Sequence, residues 1–255
     1  MLNVSLDENY ITLELADIIY EKCNTLFRHD KGYDNIRQCL LYGNKDLIYK
    51  TVYNGITNYA STTPWDMFPE LITVKEQLEN TVHKQFNFCA IMMYANEHVI
   101  IKKHRDKEIP MNESICGISV GATRRMLLTK SNLHTNLHTS KLYSNNHNNI
   151  NDSNINDSSN INGSNINGSK ELVLTHGSLY QLLPPTNDFW LHEILPETYP
   201  TGIRFSLTFR HIPNAMYYRD IVYCSAKIKT GKNKGNICNC IAYNGKYCGK
   251  HKQQK

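Results

Sequence analysis

No stretch of the sequence approaches the roughly 20 consecutive apolar residues that a membrane-spanning helix needs. Residues 1–7 lack the basic start and long apolar run of a secretory leader. These absences predict a soluble, intracellular protein of the cytoplasm or nucleus. Charge of one sign is not in large excess: 28 Lys and Arg against 23 Asp and Glu leave a formal charge of +5, with a pI of about 8.7. That balance fits a polyanionic partner without demanding one. No disulfide framework is evident: Cys23, Cys39, Cys89 and Cys116 are scattered through the first half and read as free thiols of a reducing compartment. What is present suffices for a core. The 255 residues are 40% hydrophobic, enough for one domain, or one domain plus a small module. Nothing in the sequence sets an oligomeric state.

Residues 14–27 place Leu15, Ile18, Ile19, Cys23, Leu26 and Phe27 at helical spacing. Residues 31–60 read as short strands and loops, with Tyr42-Gly43-Asn44 as a turn signal. Pro64 is expected to open a second helix, with Leu71, Val74, Leu78 and Val82 on one face. From Phe86 onward the pattern turns to strands: FNFCAIMMY, HVIIKKH, SICGISV, RRMLLT, ELVLTHGSLYQLLP and IRFSLTFRHI. Many short strands without intervening helical patterns point to a sandwich or barrel. A polar segment, 131–169, interrupts them with near-repeats of Asn-Ile-Asn-(Asp/Gly)-Ser. It has too little apolar surface to offset its ordering entropy, so it reads as a disordered loop between two strands. Its His134, His138 and His147 read as solvated side chains.

Four signals carry chemistry. In His104-Arg105-Asp106, an imidazole and a carboxylate two residues apart on a strand project to one side. They are two legs of a 2-His-1-carboxylate triad, which leaves three positions open on Fe(II). Alone the signal is weak, because 11 His and 23 acids in 255 residues give roughly one His-x-acid triplet by chance. In residues 204–210, RFSLTFR, Phe205, Leu207 and Phe209 face a core, while Arg204, Ser206, Thr208 and Arg210 face the opposite side. Two inward arginines are costly without anions to pair with, and a dicarboxylate supplies them; a barrel strand whose arginines reach solvent is the alternative reading. His192, just before that strand, is where a third ligand from a distant strand is needed. The fourth signal is the tail, Cys238-Asn-Cys240 followed by Cys248-Gly-Lys-His251, a tetrahedral zinc set in ligand type with basic flanks. A zinc knuckle and a disordered basic tail both fit it.

The order H-x-D, a distal His, then R-x-(N/S)-x-T-x-R resembles the AlkB family of 2-oxoglutarate oxygenases, most closely its DNA-repair branch. Matching stretches are Phe86-Asn-Phe88, Tyr94, His104-Arg-Asp106 with Glu108, Ser119-Val-Gly121-Ala122, His176-Gly-Ser178, Pro185-Thr-Asn187, Trp190, His192 and residues 204–210. A looser match runs upstream through Arg37 and Tyr42-Gly43. The resemblance implies a mainly β fold with flanking helices: a double-stranded β-helix, jelly-roll core with an N-terminal nucleotide-recognition lid. The expected layout is lid at 1–84, dioxygenase core at 85–215 with the insert at 131–170, and tail at 216–255. By matched position, His104, Asp106 and His192 hold Fe(II). Tyr94 and Arg204 hold the distal carboxylate of 2-oxoglutarate, with Ser206 in the same pocket and Arg210 near the chelating end. The family often has Asn where Met92 and Ser206 stand, so two amide hydrogen bonds are missing and co-substrate affinity is put in question.

For the target base, Tyr53 is the candidate stacking residue and Tyr49 the alternative; both also read as core tyrosines. Arg37 is expected at the nucleic-acid backbone or the lid. Glu108 lies where repair members place an acid near the base, which favours a cationic base. The implied reaction consumes O2 and 2-oxoglutarate and demethylates N-alkylated bases of DNA or RNA, releasing formaldehyde, succinate and CO2. Two alternatives stand beside it: a 2-oxoglutarate hydroxylase of a protein or other substrate, and a non-catalytic nucleic-acid-binding protein. The Cys/His tail resembles those of some large DNA virus proteins, and the Asn-rich insert points to an AT-rich viral or protist genome.

Overall fold

The computed structural model describes residues 1–27, 37–53, 56–107, 109–131, 168–213, 215–217, 222–238, 240–242, 247, 248 and 251. At 51–53, 56–58, 216, 222, 223 and 241 it describes the backbone and not the side chain. The expected disordered insert, apart from its ends, and Glu108 lie outside the described residues.

The chain opens with β1 (Val4–Asp7) and α1 (Leu13–Leu26). Four strands follow: β2 (Gln38–Gly43), β3 (Leu47–Tyr53), β4 (Ile56–Ser61) and β5 (Thr63–Pro64). After α2 (Pro69–Val82) come β6 (Phe88–Tyr94), β7 (Ile101–His104), β8 (Ile115–Gly121), β9 (Arg124–Lys130), β10 (Ser169–Leu174) and β11 (Ser178–Leu182). A short α3 (Thr186–Phe189) leads into β12 (Trp190–Ile194) and β13 (Arg204–Arg210). The two-residue strands β14 (Met216–Tyr217), β15 (Val222–Tyr223) and β16 (Ile241–Ala242) close the list.

Local chemistry explains the helix ends. The Thr12 hydroxyl caps α1 by accepting from the Leu15 N–H at 3.3 Å. Pro69 stands in the first turn of α2, where a missing N–H costs nothing. Pro64 therefore does not start this helix; it lies in β5 and precedes a 3-10 turn at Trp65–Met67. On α2, Leu71, Val74 and Leu78 are buried as the periodicity predicts. On α1 the buried stripe is Ala16, Ile19 and Cys23, whereas Ile18 and Leu26 are 45% and 43% exposed. Apolar residues cover more than half the turn there, and spacing alone does not say which edge meets the sheet.

The main sheet has the order β1-β11-β8-β13-β6-β2-β5, and a second has the order β10-β9-β12-β7. All pairings in both are antiparallel except β2 with β5. The N-terminal region thus contributes β1 and β2 to the same sheet as β6, β8, β11 and β13. Phe205, Leu207 and Phe209 on one face of β13 join α1 and α2 in one apolar cluster. The other face of the main sheet packs against the second sheet through Ile115, Tyr180 and Leu182 with Met126, Leu128, Leu174 and Ile194. Each fully buried Leu, Ile or Phe contributes roughly 1.5–3 kcal/mol, so both faces of the central strands are strongly fixed. The result is a mainly β, jelly-roll-type core whose site lies between its two sheets. No helix among the described residues is long and apolar enough to cross a membrane.

Candidate active site

His104 at the end of β7 and His192 in β12 are directly paired across the minor sheet, with ring centroids 4.3 Å apart. Asp106 lies two residues beyond the strand, so the pleat does not aim its carboxylate. Two other contacts do. Asn187 Oδ1 accepts from the Asp106 N–H at 3.0 Å, and Asn187 Nδ2 donates to the Asp106 carbonyl at 2.9 Å. Arg210 Nη2 then lies 2.8 Å from Asp106 Oδ2. One ligand atom from each of His104, Asp106 and His192 falls within 4.8 Å of the other two.

The protonation states suit a divalent metal. His104 Nδ1 is 2.8 Å from the Lys102 carbonyl, which can only accept; Nδ1 therefore carries the proton and Nε2 is left facing Asp106, 3.6 Å from Oδ1. Burial pulls the His192 pKa down to about 4 against the opposing pull of Asp106, with His104 and Arg210 adding to the fall, so the ring is neutral at neutral pH. Burial alone would raise the Asp106 carboxyl, but the Arg210 guanidinium, His192 and His104 outweigh it and hold it below its ordinary value. Two imidazoles and one carboxylate on one side of a cavity are the donor set of a facial-triad iron centre.

The cavity occupies about 370 Å³, counting space open to solvent, and is lined by Met92, Tyr94, Tyr180, Ser206, Thr208 and Arg210 as well as the three ligands. Arg204 lies deeper, 0% exposed; its Nε donates to Ser119 Oγ at 2.8 Å, and its guanidinium lies 5.0 Å from the Tyr94 ring centroid. Neither terminal nitrogen of Arg204 has a well-formed hydrogen bond. Burial lowers its pKa, opposed by Tyr94 and Tyr180. A buried cation with unsatisfied donors fits an incoming carboxylate. Arg124, which sequence reasoning missed, also contacts Tyr94, at 5.6 Å, but donates to the carbonyls of Asn96, Val99 and Leu195 at 2.9, 2.9 and 2.7 Å. Its role is to tie loops together. Met92 and Ser206, the two departures from the AlkB pattern, face each other in register on β6 and β13.

Tyr180 was also missed. Its pair partner is Gly117, and a Cβ at that position would lie 2.1 Å from the ring. The ring can cross β8 only because Gly117 has no side chain. Asn187 was visible as part of Pro185-Thr-Asn187, without its role.

Of the substrate candidates, Arg37 is exposed at the head of β2 and is one of the cations acting on Tyr94, whose pKa burial raises and Arg204 and Arg37 lower. Tyr53 ends β3, but its side chain lies outside the described residues, as does Glu108. Tyr49 stacks on Phe88 at 4.4 Å and is a packing residue. In the tail, Cys224, Cys238, Cys248 and His251 come together as a group that could hold zinc, whereas Cys240 is exposed and outside it. This corrects the sequence-derived set: alternation in Cys238-Asn-Cys240 obscured the partner 14 positions upstream.

A family model described as the 2OG-Fe(II) oxygenase superfamily matches residues 18–210. The chain belongs to this superfamily. Membership implies Fe(II), 2-oxoglutarate and O2, and the donor set and the buried Arg204 fit the first two. The chain is also similar to the DNA oxidative demethylase ALKBH2 of Mus musculus, 26% identical over 178 residues, covering 69% of this chain and 62% of the mouse protein. The match thus spans less than two thirds of that relative's length. The enzyme class is that of a 2-oxoglutarate-dependent dioxygenase, AlkB-like in its sequence pattern.

Proposed function

We propose that this oxygenase demethylates N-alkylated bases in nucleic acid, releasing formaldehyde. The observation that carries the reading is the similarity to a DNA oxidative demethylase over 178 residues, beside a superfamily match at 18–210 that spans the residues of the site. Arg37, exposed at the head of β2, is consistent with a polyanionic substrate.

In this reading His104, Asp106 and His192 hold the iron, and Asn187 keeps Asp106 turned toward it. Arg204 takes the distal carboxylate of 2-oxoglutarate, with Tyr94 beside it and Ser206 along the same wall. Arg210 fixes Asp106 as a carboxylate and adds positive charge at the chelating end. When bound, the iron and 2-oxoglutarate supply the oxidant that hydroxylates a methyl C–H bond. The apolar wall of Ile101, Ile115 and Met126 limits water around that chemistry. Within 1–84, β1, β2, α1 and α2 pack on the core, and the separate β3–β4 pair with the approach to β2 is assigned as the nucleotide-recognition lid, with Arg37 and Tyr53 as its substrate contacts and Glu108 beside the base. Residues 85–215 are the catalytic core and 216–255 an accessory tail.

The test is a mass-spectrometric screen of methylated DNA and RNA oligonucleotides with Fe(II) and 2-oxoglutarate. Loss of a methyl group from an N-alkylated base supports the reading. Succinate formation with no change in any oligonucleotide transfers the substrate to another class, such as a protein.

A further inference from the structure

Beyond the iron centre, the described residues contain a second group of metal-type ligands. Cys224 and Cys248 are buried and Cys238 and His251 half-buried, and one ligand atom from each lies within 4.8 Å of the others. Cys224 Sγ is 3.4 Å and Cys248 Sγ 3.3 Å from His251 Nδ1, and Cys238 Sγ is 3.8 Å from Cys248 Sγ. A disulfide needs sulfurs about 2 Å apart, so no bond joins Cys238 to Cys248. The edge of a tetrahedron with metal–sulfur bonds of about 2.3 Å is about 3.8 Å long. The spacing is that of a closed Cys3His zinc shell.

The surroundings call for such an ion. β15 pairs with β16, Lys227 bridges Ile237, and Cys224 donates its N–H to the Cys240 carbonyl at 2.7 Å, forming a hairpin. Among the described residues its buried cluster is Cys224, Ala226, Ala242 and Cys248, with Cys238 and Tyr247 packed against it. An isolated two-stranded hairpin is marginally stable at best. A metal joining four side chains supplies the missing stabilisation.

The hairpin turns through 229–235, with Gly231 and Gly235 in the left-handed region at φ 83° and 91° and no atom within 4 Å of a Cβ at either. Lys227, Lys229, Lys232 and Lys234 on and beside this turn are all exposed. The sequence from 222 to 255 has eight Lys and no Asp or Glu, so the remaining 221 residues hold 20 basic and 23 acidic residues. The positive charge of the chain therefore lies in the tail.

We propose that Cys224, Cys238, Cys248 and His251 bind one structural zinc ion, which holds the turn at 227–235 as a contact for nucleic-acid phosphates. The zinc assignment is independent of the catalytic reading; the choice of nucleic acid as the anion rests on it. Cys240 takes no part in the shell, and the four lysines act through charge, without base specificity.

The test uses the full-length protein. Metal analysis after chelator washing is expected to give one zinc per chain, lost in Cys224→Ser and kept in Cys240→Ser. Cobalt loaded in place of zinc should show thiolate-to-metal absorption that Cys224→Ser removes, a signal the His104, Asp106 and His192 set cannot give. Binding of an unmethylated oligonucleotide is then followed by anisotropy against salt. Replacing Lys227, Lys229, Lys232 and Lys234 with Ala should lower the magnitude of the log–log salt slope by about 3, at roughly 0.7–0.9 per phosphate contact. Equal zinc loss in Cys240→Ser and Cys224→Ser, or no zinc at all, overturns the site. An unchanged slope, or weakened binding to anionic lipid vesicles alone, overturns the nucleic-acid contact. Zinc and oligonucleotide binding in a protein that demethylates nothing would leave this proposal standing and remove only the catalytic one.

Discussion

Asn187 grips the backbone of Asp106 from both sides, accepting from its N–H at 3.0 Å and donating to its carbonyl at 2.9 Å. This pair of bonds fixes the Asp106 backbone and, with Arg210 at its Oδ2, sets where the carboxylate points, which the pleat of β7 does not. Asn187→Ala removes both partners from buried backbone groups. It is expected to cost about 1–3 kcal/mol of stability and to weaken iron binding about 10–100-fold, read by thermal melting and iron titration. Unchanged iron affinity would mean that Arg210 alone suffices to place Asp106.

Gly117→Ala should disturb the co-substrate wall by displacing Tyr180. The added methyl meets the Tyr180 ring at 2.1 Å, and an overpacked core position costs roughly 1–3 kcal/mol. Tyr180 must move toward or away from the cavity. The KM for 2-oxoglutarate is expected to rise several-fold, with a lowered melting temperature. A variant with native melting and native KM would show that the ring adjusts freely.

Removal of residues 133–166 should be tolerated. Ser169 pairs with Thr129, and the Lys130 N–H donates to the Gly168 carbonyl at 3.1 Å, so the segment's two ends already lie side by side. A short Gly-containing turn can join them. Melting temperature and turnover should stay near native, as loop length costs little. A marked loss of either would assign the segment a role in packing or in access to the site.

Much of this architecture was legible in the sequence because β13 alternates without exception. Phe205, Leu207 and Phe209 meet α1 and α2, while Ser206, Thr208 and Arg210 line the cavity. His192 was legible through its order before that strand. Asp106 was found for a reason that proved incomplete, because it stands past the end of β7 and is placed by tertiary contacts. Cys224 was illegible as a ligand because 13 residues separate it from Cys238, and only the hairpin brings them together. Arg124 and Tyr180 gave no signal, since a buried charge tied to carbonyls and a ring lying over a glycine are properties of strand register.

Substrate preference tests the assignment of Glu108, which rests on its matched position two residues past Asp106. A carboxylate near the base should favour the cationic 1-methyladenine and 3-methylcytosine over neutral methylated bases. At an effective dielectric of about 20, a charge about 4 Å away is worth roughly 4 kcal/mol before desolvation; after desolvation a preference on the order of tenfold is expected. Glu108→Gln should shrink that preference while leaving succinate formation without substrate unchanged. Formaldehyde release from oligonucleotides carrying one lesion each gives the comparison. Equal wild-type rates on cationic and neutral bases would remove the electrostatic role.

The most direct test of the whole account is the stoichiometry of the reaction on one oligonucleotide carrying 1-methyladenine, in wild type and in Asp106→Ala. The wild type is expected to form formaldehyde and succinate in near-equal amounts, dependent on added Fe(II) and 2-oxoglutarate. Asp106→Ala should remain folded and form neither product. Formaldehyde without 2-oxoglutarate, or native product formation by Asp106→Ala, would contradict the assignment of His104, Asp106 and His192 as the iron centre of a base demethylase.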